Sequence, residues 1–252
     1  MCRVFLIALL AGAAMYADPI TGNGNWQDFP ATLDSDGYPY IDSPSYDGPR
    51  GNIAYFLSGY NGAYPLRSPG VTPQWYGDAS GGPASDFYFT LTHQWLTATL
   101  RMENTAWAAL NEFGWYDVTD PSTRHTIFAG PDAAGAEVVF TPSLQYGYYL
   151  VNGLGEIYYT QSSLNSGAEA GRQHFAAFRE TSLGGEPDVI WIGLEDVPHI
   201  YAGDEISGDY NDMVARVVGL PEPGTLLLAG AGLLALGRAR RRKSSRAGTG
   251  RR

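Results

Sequence analysis

The side chains best suited to chemistry form an acidic stretch between Glu195 and Asp212. Calcium takes about six to eight oxygen ligands, and carboxylates, Asn side chains and backbone carbonyls can supply them. The stretch lacks the spacing of an EF-hand and its closing Glu, so an Asx turn that leads into the next strand is the alternative. The predicted calcium ligands are Glu195, Asp196, Asp204, Asp209, Asn211 and Asp212.

The sequence contains no recognisable catalytic motif. It has no Gly-x-Ser-x-Gly nucleophile elbow, no His-Glu-x-x-His metal pair and no glycine-rich phosphate loop followed by Lys-Ser or Lys-Thr. Its only cysteine is Cys2, so the body has neither a thiolate nucleophile nor a thiolate zinc site. We therefore predict no catalytic and no cofactor-binding residues. Because a glycosidase needs only a pair of carboxylates, Glu112, Glu156 and Glu195 keep a glycan-active enzyme open as an alternative.

Charge is distributed unevenly along the chain, whose formal net charge is -10. All 26 acidic residues lie between Asp18 and Glu222, whereas half of the 16 basic residues fall at or after Arg238. The body therefore carries a net charge of about -19, which would repel a phosphate backbone. We predict no nucleic-acid partner.

The body has the pattern of a β-rich domain. Residues 18–85 are rich in Gly, Pro, Asp and Ser with aromatic residues between them, which predicts packed loops with short strands. From Asp86 onward apolar and polar residues alternate, and a change of parity near His93 predicts a turn or a bulge. Many short strands at this spacing predict an all-β fold, a β-sandwich or a jelly roll. The predicted strands span residues 87–92, 96–102, 113–118, 125–128, 137–141, 147–151, 156–160, 174–178, 189–194 and 213–218.

Both ends of the chain have the composition of targeting segments. A basic start and an apolar run from Val4 to Ala14 predict an N-terminal signal peptide over residues 1–17. A β-rich extracellular domain is predicted over residues 18–219. The apolar segment Gly224 to Gly237 predicts a hydrophobic helix of roughly 21 Å, which would cross a membrane only if the bilayer thins or Arg238 snorkels. The Arg-rich tail after it should stay on the cytoplasmic side.

The order of Pro-Glu-Pro, a Gly/Ala/Leu segment and an Arg-rich end resembles the PEP-CTERM sorting signal. The likeness runs from Pro221 to about Arg246 within the predicted sorting region 220–252, and its motif residues are Pro221, Glu222 and Pro223. The resemblance implies transient anchoring in the inner membrane and cleavage near Pro-Glu-Pro by a membrane protease of the exosortase type. The product would then pass to the cell surface or to the exopolysaccharide matrix.

Part of the body also resembles a recurring domain of PEP-CTERM proteins, from roughly Phe113 to Val218. This second resemblance implies an architecture and a location, and it implies no activity. The matching segments are residues 113–116, 140–143, 146–150, 174–175, 191–196 and 209–214.

These observations together predict an exported, non-enzymatic protein of the cell surface or extracellular matrix, with a domain stabilised by calcium. A carbohydrate-binding module for exopolysaccharide is the first alternative, because some of the six tryptophans could stack on sugar rings. Most tryptophans in a sandwich belong to the core, so a row of exposed aromatic side chains would favour that alternative. A cleft with two facing carboxylates would favour the glycan-active enzyme.

Overall fold

Apolar and polar side chains alternate along much of the sequence, as they do in β-strands with one buried face. The residues that the structure describes form thirteen β-strands. The structure is a computed structural model, and it describes residues 17–28, 73–79, 84–180, 189–198 and 210–220, together with Gly232. Tyr16–Leu220 form one unit, and Met1–Met15 with Pro221–Arg252 are assigned to another. Apart from Ala17 and Gly232, the predicted signal peptide and the predicted C-terminal helix lie outside the described residues, so the predicted domain boundaries stay predictions.

The described strands are short, and two single turns of 3-10 helix follow β10. The strands are β1 (Ile20–Gly22), β2 (Asn25–Asp28), β3 (Pro73–Gly77), β4 (Phe87–Thr90), β5 (Trp95–Glu103), β6 (Glu112–Asp117), β7 (Asp120–Ala129), β8 (Glu137–Phe140), β9 (Gln145–Val151), β10 (Ile157–Tyr159), β11 (Phe175–Glu180), β12 (Val189–Leu194) and β13 (Met213–Leu220).

The first sheet has six antiparallel strands in the order β1-β4-β9-β6-β7, with β10 also paired to β9. Strand β9 organises this sheet. One of its edges pairs with β6 along the whole strand, whereas β4 pairs near its start and β10 near its end. Strand β7 lies at the sheet edge, which explains why it tolerates Pro121 near its start.

The second sheet has seven antiparallel strands in the order β2-β3-β11-β12-β13-β5-β8. Its central strand β12 is buried at all six positions, so both of its faces are covered. One face of the second sheet is directed toward the first sheet. The opposite face carries a separate apolar cluster that includes Trp75, Phe178 and Trp191. The guanidinium groups of Arg101 and Arg216 lie 5.8 and 5.9 Å from the centre of the Trp191 ring.

The main core lies between the two sheets and is unusually aromatic on the side of the first sheet. Phe89 stacks on Tyr146 and meets Tyr148 edge to face, with ring centroids 5.4 and 5.2 Å apart. The second sheet contributes mainly aliphatic side chains to the same core, such as Leu100 and Ile192. Burial of this apolar surface supplies the main driving force for folding.

The all-β prediction is confirmed, and all ten predicted strands are present with shifts of a few residues at their ends. The structure adds β1, β2 and β3 within the segment that was predicted to hold loops and short strands. The break predicted near His93 is also real, but it is a crossover: β4 lies in the first sheet and β5 in the second. Within the described ranges no helix is long and apolar enough to cross a membrane.

Candidate functional site

The sheet order places two of the predicted ligands side by side. Strands β12 and β13 are antiparallel neighbours, so the end of β12 and the start of β13 meet at the same edge. Leu194 forms an isolated bridge with Asn211, and the backbone N–H of Asp196 donates to Oδ2 of Asp212 at 2.8 Å. The chain enters this pairing through Tyr210, whose φ of 52° lies in the left-handed region that tyrosine seldom adopts.

Three asparagines from other connections converge on the same place. Asn104, just after β5, donates from its backbone to the Asp212 carbonyl at 2.7 Å and from its side chain to Oδ1 of Asn211 at 3.2 Å. Nδ2 of Asn111, just before β6, donates to Oδ2 of Asp196 at 2.6 Å. Nδ2 of Asn152, just after β9, donates to the Asp196 carbonyl at 3.0 Å. We call these residues the Asp196 cluster: Asn104, Asn111, Asn152, Asp196, Asn211 and Asp212.

The Asp196 cluster is buried except for the partly buried Asn104, and it contains unpartnered oxygen atoms. Asp196 and Asn111 are each 1% exposed. Oδ1 of Asp196 and Oδ1 of Asn111 have no hydrogen-bond partner among the residues that the structure describes. An ionised carboxylate oxygen and an amide oxygen both accept, so the group that would satisfy them is either a hydrogen-bond donor, such as a protonated carboxyl group, or a cation.

Two hydrogen bonds fix the backbone of Asn111, and the neighbouring Asp196 carboxylate decides the orientation of its side-chain amide. Its backbone N–H donates to the Trp107 carbonyl at 3.0 Å, and its carbonyl accepts from Gly130 at 2.9 Å. Rotating the side-chain amide by half a turn would bring Oδ1 against the carboxylate of Asp196, where two acceptors would repel each other. The unpartnered atom of Asn111 is therefore the oxygen.

Acidic side chains are crowded together in this buried region, which disfavours their ionised forms. Burial, and then the Asp196 carboxylate, raise the pKa of Asp212 well above its usual range. Burial also raises the pKa of Glu103 to about 7, with smaller contributions from Asp196 and Asp132. No salt bridge to Asp196 or Asp212 is formed by the described residues. The two carboxylates therefore lack a positive partner within this part of the chain.

A histidine stands beside the cluster and fixes the strand end. The backbone N–H of Glu195 donates to the His174 carbonyl at 3.0 Å, and Nδ1 of His174 lies 3.0 Å from the Glu195 carbonyl, to which it donates. The imidazole stacks on the Tyr158 ring at 3.6 Å, and its Nε2 lies 3.1 Å from Oε2 of Glu169. Burial lowers the pKa of His174, against the smaller opposing effects of the Glu195 carbonyl and Glu169. The imidazole orients the backbone of Glu195, next to Asp196.

The structure therefore brings together part of the predicted ligand set. Asp196 and Asp212 are adjacent, Asn211 lies beside them, and Glu195 precedes Asp196 with its backbone hydrogen-bonded to His174. Asp204 and Asp209 lie outside the described residues, as do Pro221, Glu222 and Pro223. Among the described residues, no group of three or more His, Cys, Asp or Glu side chains is placed to hold a metal ion. The Asp196 cluster differs from such a group because amide oxygens contribute to it.

Sequence reasoning missed Asn104, Asn111 and Asn152. Each lies at the end of a strand, where Asn is also an ordinary turn residue. The dipeptide Asn152-Gly153 marks a turn, but no local pattern relates it to Asp196, which lies 44 residues further along the chain. Their convergence depends on which strands are neighbours.

The structure also locates the residues on which the glycan-active enzyme and the carbohydrate-binding module depend. Glu112 accepts a hydrogen bond from the Tyr149 hydroxyl at 2.5 Å, and Glu156 accepts one from the Tyr158 hydroxyl at 2.6 Å. Glu195 is buried. Every aromatic side chain whose burial the structure describes is buried or partly buried.

The comparisons with known proteins concern the C-terminal end. A family model described as the PEP-CTERM protein-sorting motif matches residues 220–243. Residues 220–243 carry a PEP-CTERM sorting motif. Neither the comparison with curated proteins nor the comparison with solved structures gave a match. The motif implies export, sorting at the membrane and processing by an exosortase, a membrane protease.

Proposed function

We propose that this protein is an exported, non-enzymatic component of the cell surface or extracellular matrix, built on a calcium-stabilised β-sandwich. The PEP-CTERM motif at residues 220–243 carries this proposal. The motif begins where β13 ends, at Leu220, so the domain leads directly into the sorting signal. An exosortase would therefore release the domain by cutting just after its last strand.

The non-enzymatic part of the proposal rests on the sequence, which has no nucleophile elbow, metal-protease pair or phosphate loop. The glutamates that could serve a glycosidase are engaged by neighbours: Glu112 by Tyr149 and Glu156 by Tyr158. The calcium part rests on the buried carboxylates of Asp196 and Asp212, which have no cationic partner among the described residues.

Mass spectrometry of the protein from its native host tests the sorting proposal. The surface-localised form should end between Pro221 and Gly224. The variant Glu222→Gln should stay in the membrane fraction and keep its full C-terminus, because it alters the motif that the protease would recognise. The matched control Glu137→Gln makes the same chemical change at an exposed position on β8 and should be processed normally.

Two results would contradict the proposal. One is surface-localised protein that still ends at Arg252. The other is equal release of the Glu222→Gln variant and the wild-type protein, since processing would then not depend on the motif.

A further inference from the structure

We propose that the Asp196 cluster is a buried calcium site whose ligands include the side chains of Asp196, Asp212 and Asn111. This inference rests on the proposed function for its cation, because calcium stabilisation is part of that function. It goes further by assigning the site to particular atoms and by including Asn111, which lies 85 residues from Asp196 along the chain.

The unpartnered oxygens are the first observation that points to a bound group. Oδ1 of Asp196 and Oδ1 of Asn111 are both buried, and both lack a partner among the described residues. The two side chains are joined by the hydrogen bond from Nδ2 of Asn111 to Oδ2 of Asp196 at 2.6 Å. A buried acceptor without a partner destabilises the fold, and more so when it is charged, so two of them on hydrogen-bonded side chains require an explanation.

Charge favours a cation over a neutral donor. The Asp212 carboxylate is held beside Asp196 by the hydrogen bond from the Asp196 backbone at 2.8 Å. Two buried carboxylates at this separation stay ionised together only if a positive charge lies between or beside them, and otherwise one of them keeps its proton. A divalent cation would neutralise both carboxylates, and Oδ1 of Asn111 would supply a neutral ligand.

The donor set selects the class of metal. All three side chains offer hard oxygen atoms, and no sulfur or imidazole nitrogen is included, which favours calcium or magnesium over zinc or copper. The three side chains come from the connection before β6, the end of β12 and the start of β13, and water would complete the shell. A site built from separate connections suits the flexible, larger shell of calcium better than the strict octahedron of magnesium.

The site has a structural consequence. Asn111 precedes a strand of the first sheet, whereas Asp196 and Asp212 flank strands of the second. A bound ion would therefore join the two sheets at one edge and fix the start of β13, the strand that leads to the sorting motif.

Thermal unfolding of the full chain in detergent, after chelation and dialysis, tests the site. Added calcium should raise the melting temperature by roughly 3–6 °C at a tenfold excess over its dissociation constant. Magnesium at the same concentration should raise it less. Metal analysis after calcium loading should give about one bound ion per chain.

Three variants identify the ligands. Asp212→Asn keeps an acceptor for the Asp196 backbone but removes a charge, so the calcium-dependent shift should be lost while the calcium-free protein still folds. Asn111→Asp adds a carboxylate, so the calcium-free melting temperature should fall and the calcium-dependent shift should increase. The control Asp120→Asn removes an exposed charge far along the β6–β7 hairpin and should keep the wild-type shift.

The outcomes separate this site from the broader proposal. Calcium stabilisation that survives Asp212→Asn, or a smaller shift in Asn111→Asp, would overturn this site and leave calcium stabilisation of the domain intact. If the melting temperature does not respond to calcium or chelator and no calcium binds, both the site and the calcium part of the proposed function are wrong. Exosortase processing is measured separately and does not depend on either result.

Discussion

Asp18 illustrates how much of this fold can depend on one buried carboxylate. It is 5% exposed and lies just before β1. Its Oδ1 accepts from the backbone N–H and the hydroxyl of Thr92 at 2.8 and 2.7 Å, and it lies 3.0 Å from Nδ1 of His93. Its Oδ2 accepts from the Tyr146 hydroxyl at 2.8 Å. Asp18 thereby ties the start of the domain to the crossover between the sheets and to β9.

We expect Asp18→Ala to destabilise the domain by about 2–4 kcal/mol, because it leaves the buried Tyr146 hydroxyl and the Thr92 donors without an acceptor. Urea unfolding of the full chain would measure this loss. The control Asp120→Ala removes an exposed aspartate that bonds only locally, to Ser122 and Thr123, and should cost much less. Equal losses in the two variants would contradict the role of Asp18.

At the scale of elements, the first sheet depends on glycines that lie under aromatic rings. Gly114 in β6 pairs with Tyr149 in β9, and a Cβ at Gly114 would collide with the His125 carbonyl oxygen of β7 and with the Tyr149 ring. Gly147 in β9 pairs with Tyr116 in the same way, but a Cβ there would meet mainly the Tyr116 ring. The two glycines thus differ in whether the obstacle is backbone or side chain.

We expect Gly114→Ala to destabilise the domain by about 1–3 kcal/mol, because a strand backbone cannot yield without disturbing the β6–β7 pairing. Gly147→Ala should cost less, because its obstacle is the end of the Tyr116 side chain, which can move at the expense of its hydrogen bond to Gln161, and not a strand backbone. Thermal or urea unfolding of the two variants would rank them. The opposite order would show that the side chain of Tyr116 is held more rigidly than the backbone of β7.

At the scale of the whole molecule, the domain must be stable without disulfide bonds. The chain has one cysteine, Cys2, so an internal disulfide cannot form. Its stability comes from the aromatic and aliphatic core between the sheets and from hydrogen-bonded connections such as those of Asp18 and Asn152.

Dithiothreitol should therefore leave the melting temperature of the protein unchanged. The measurement is a pair of thermal unfolding curves, with and without the reductant. A clear decrease with the reductant would reveal a covalent partner attached through Cys2, and the Cys2→Ser variant would then lose that dependence.

The sequence by itself determined the all-β class, ten of the strands and the sorting motif. These features are local, so they can be recognised without knowing what packs against them. They are the period-two alternation, the turn residues and a run of about 25 residues with a fixed order of elements. The short strands β1 to β3 were not located individually, because Gly and Pro dominate their surroundings and each gains its pairing from a distant strand.

Only the tertiary structure decided which sheet each strand joins and which polar groups meet. The parity change near His93 is the same in the sequence whether the chain makes a hairpin or crosses between sheets. The chain crosses here because β4 and β5 bury their apolar side chains in the same core from opposite sheets. Likewise Asp196 and Asp212 are visible as acidic residues, but Asn111 meets them only because the start of β6 and the end of β12 lie at the same edge of the packed sheets. Contacts of this range depend on the packing of whole sheets, and no spacing along the chain encodes them.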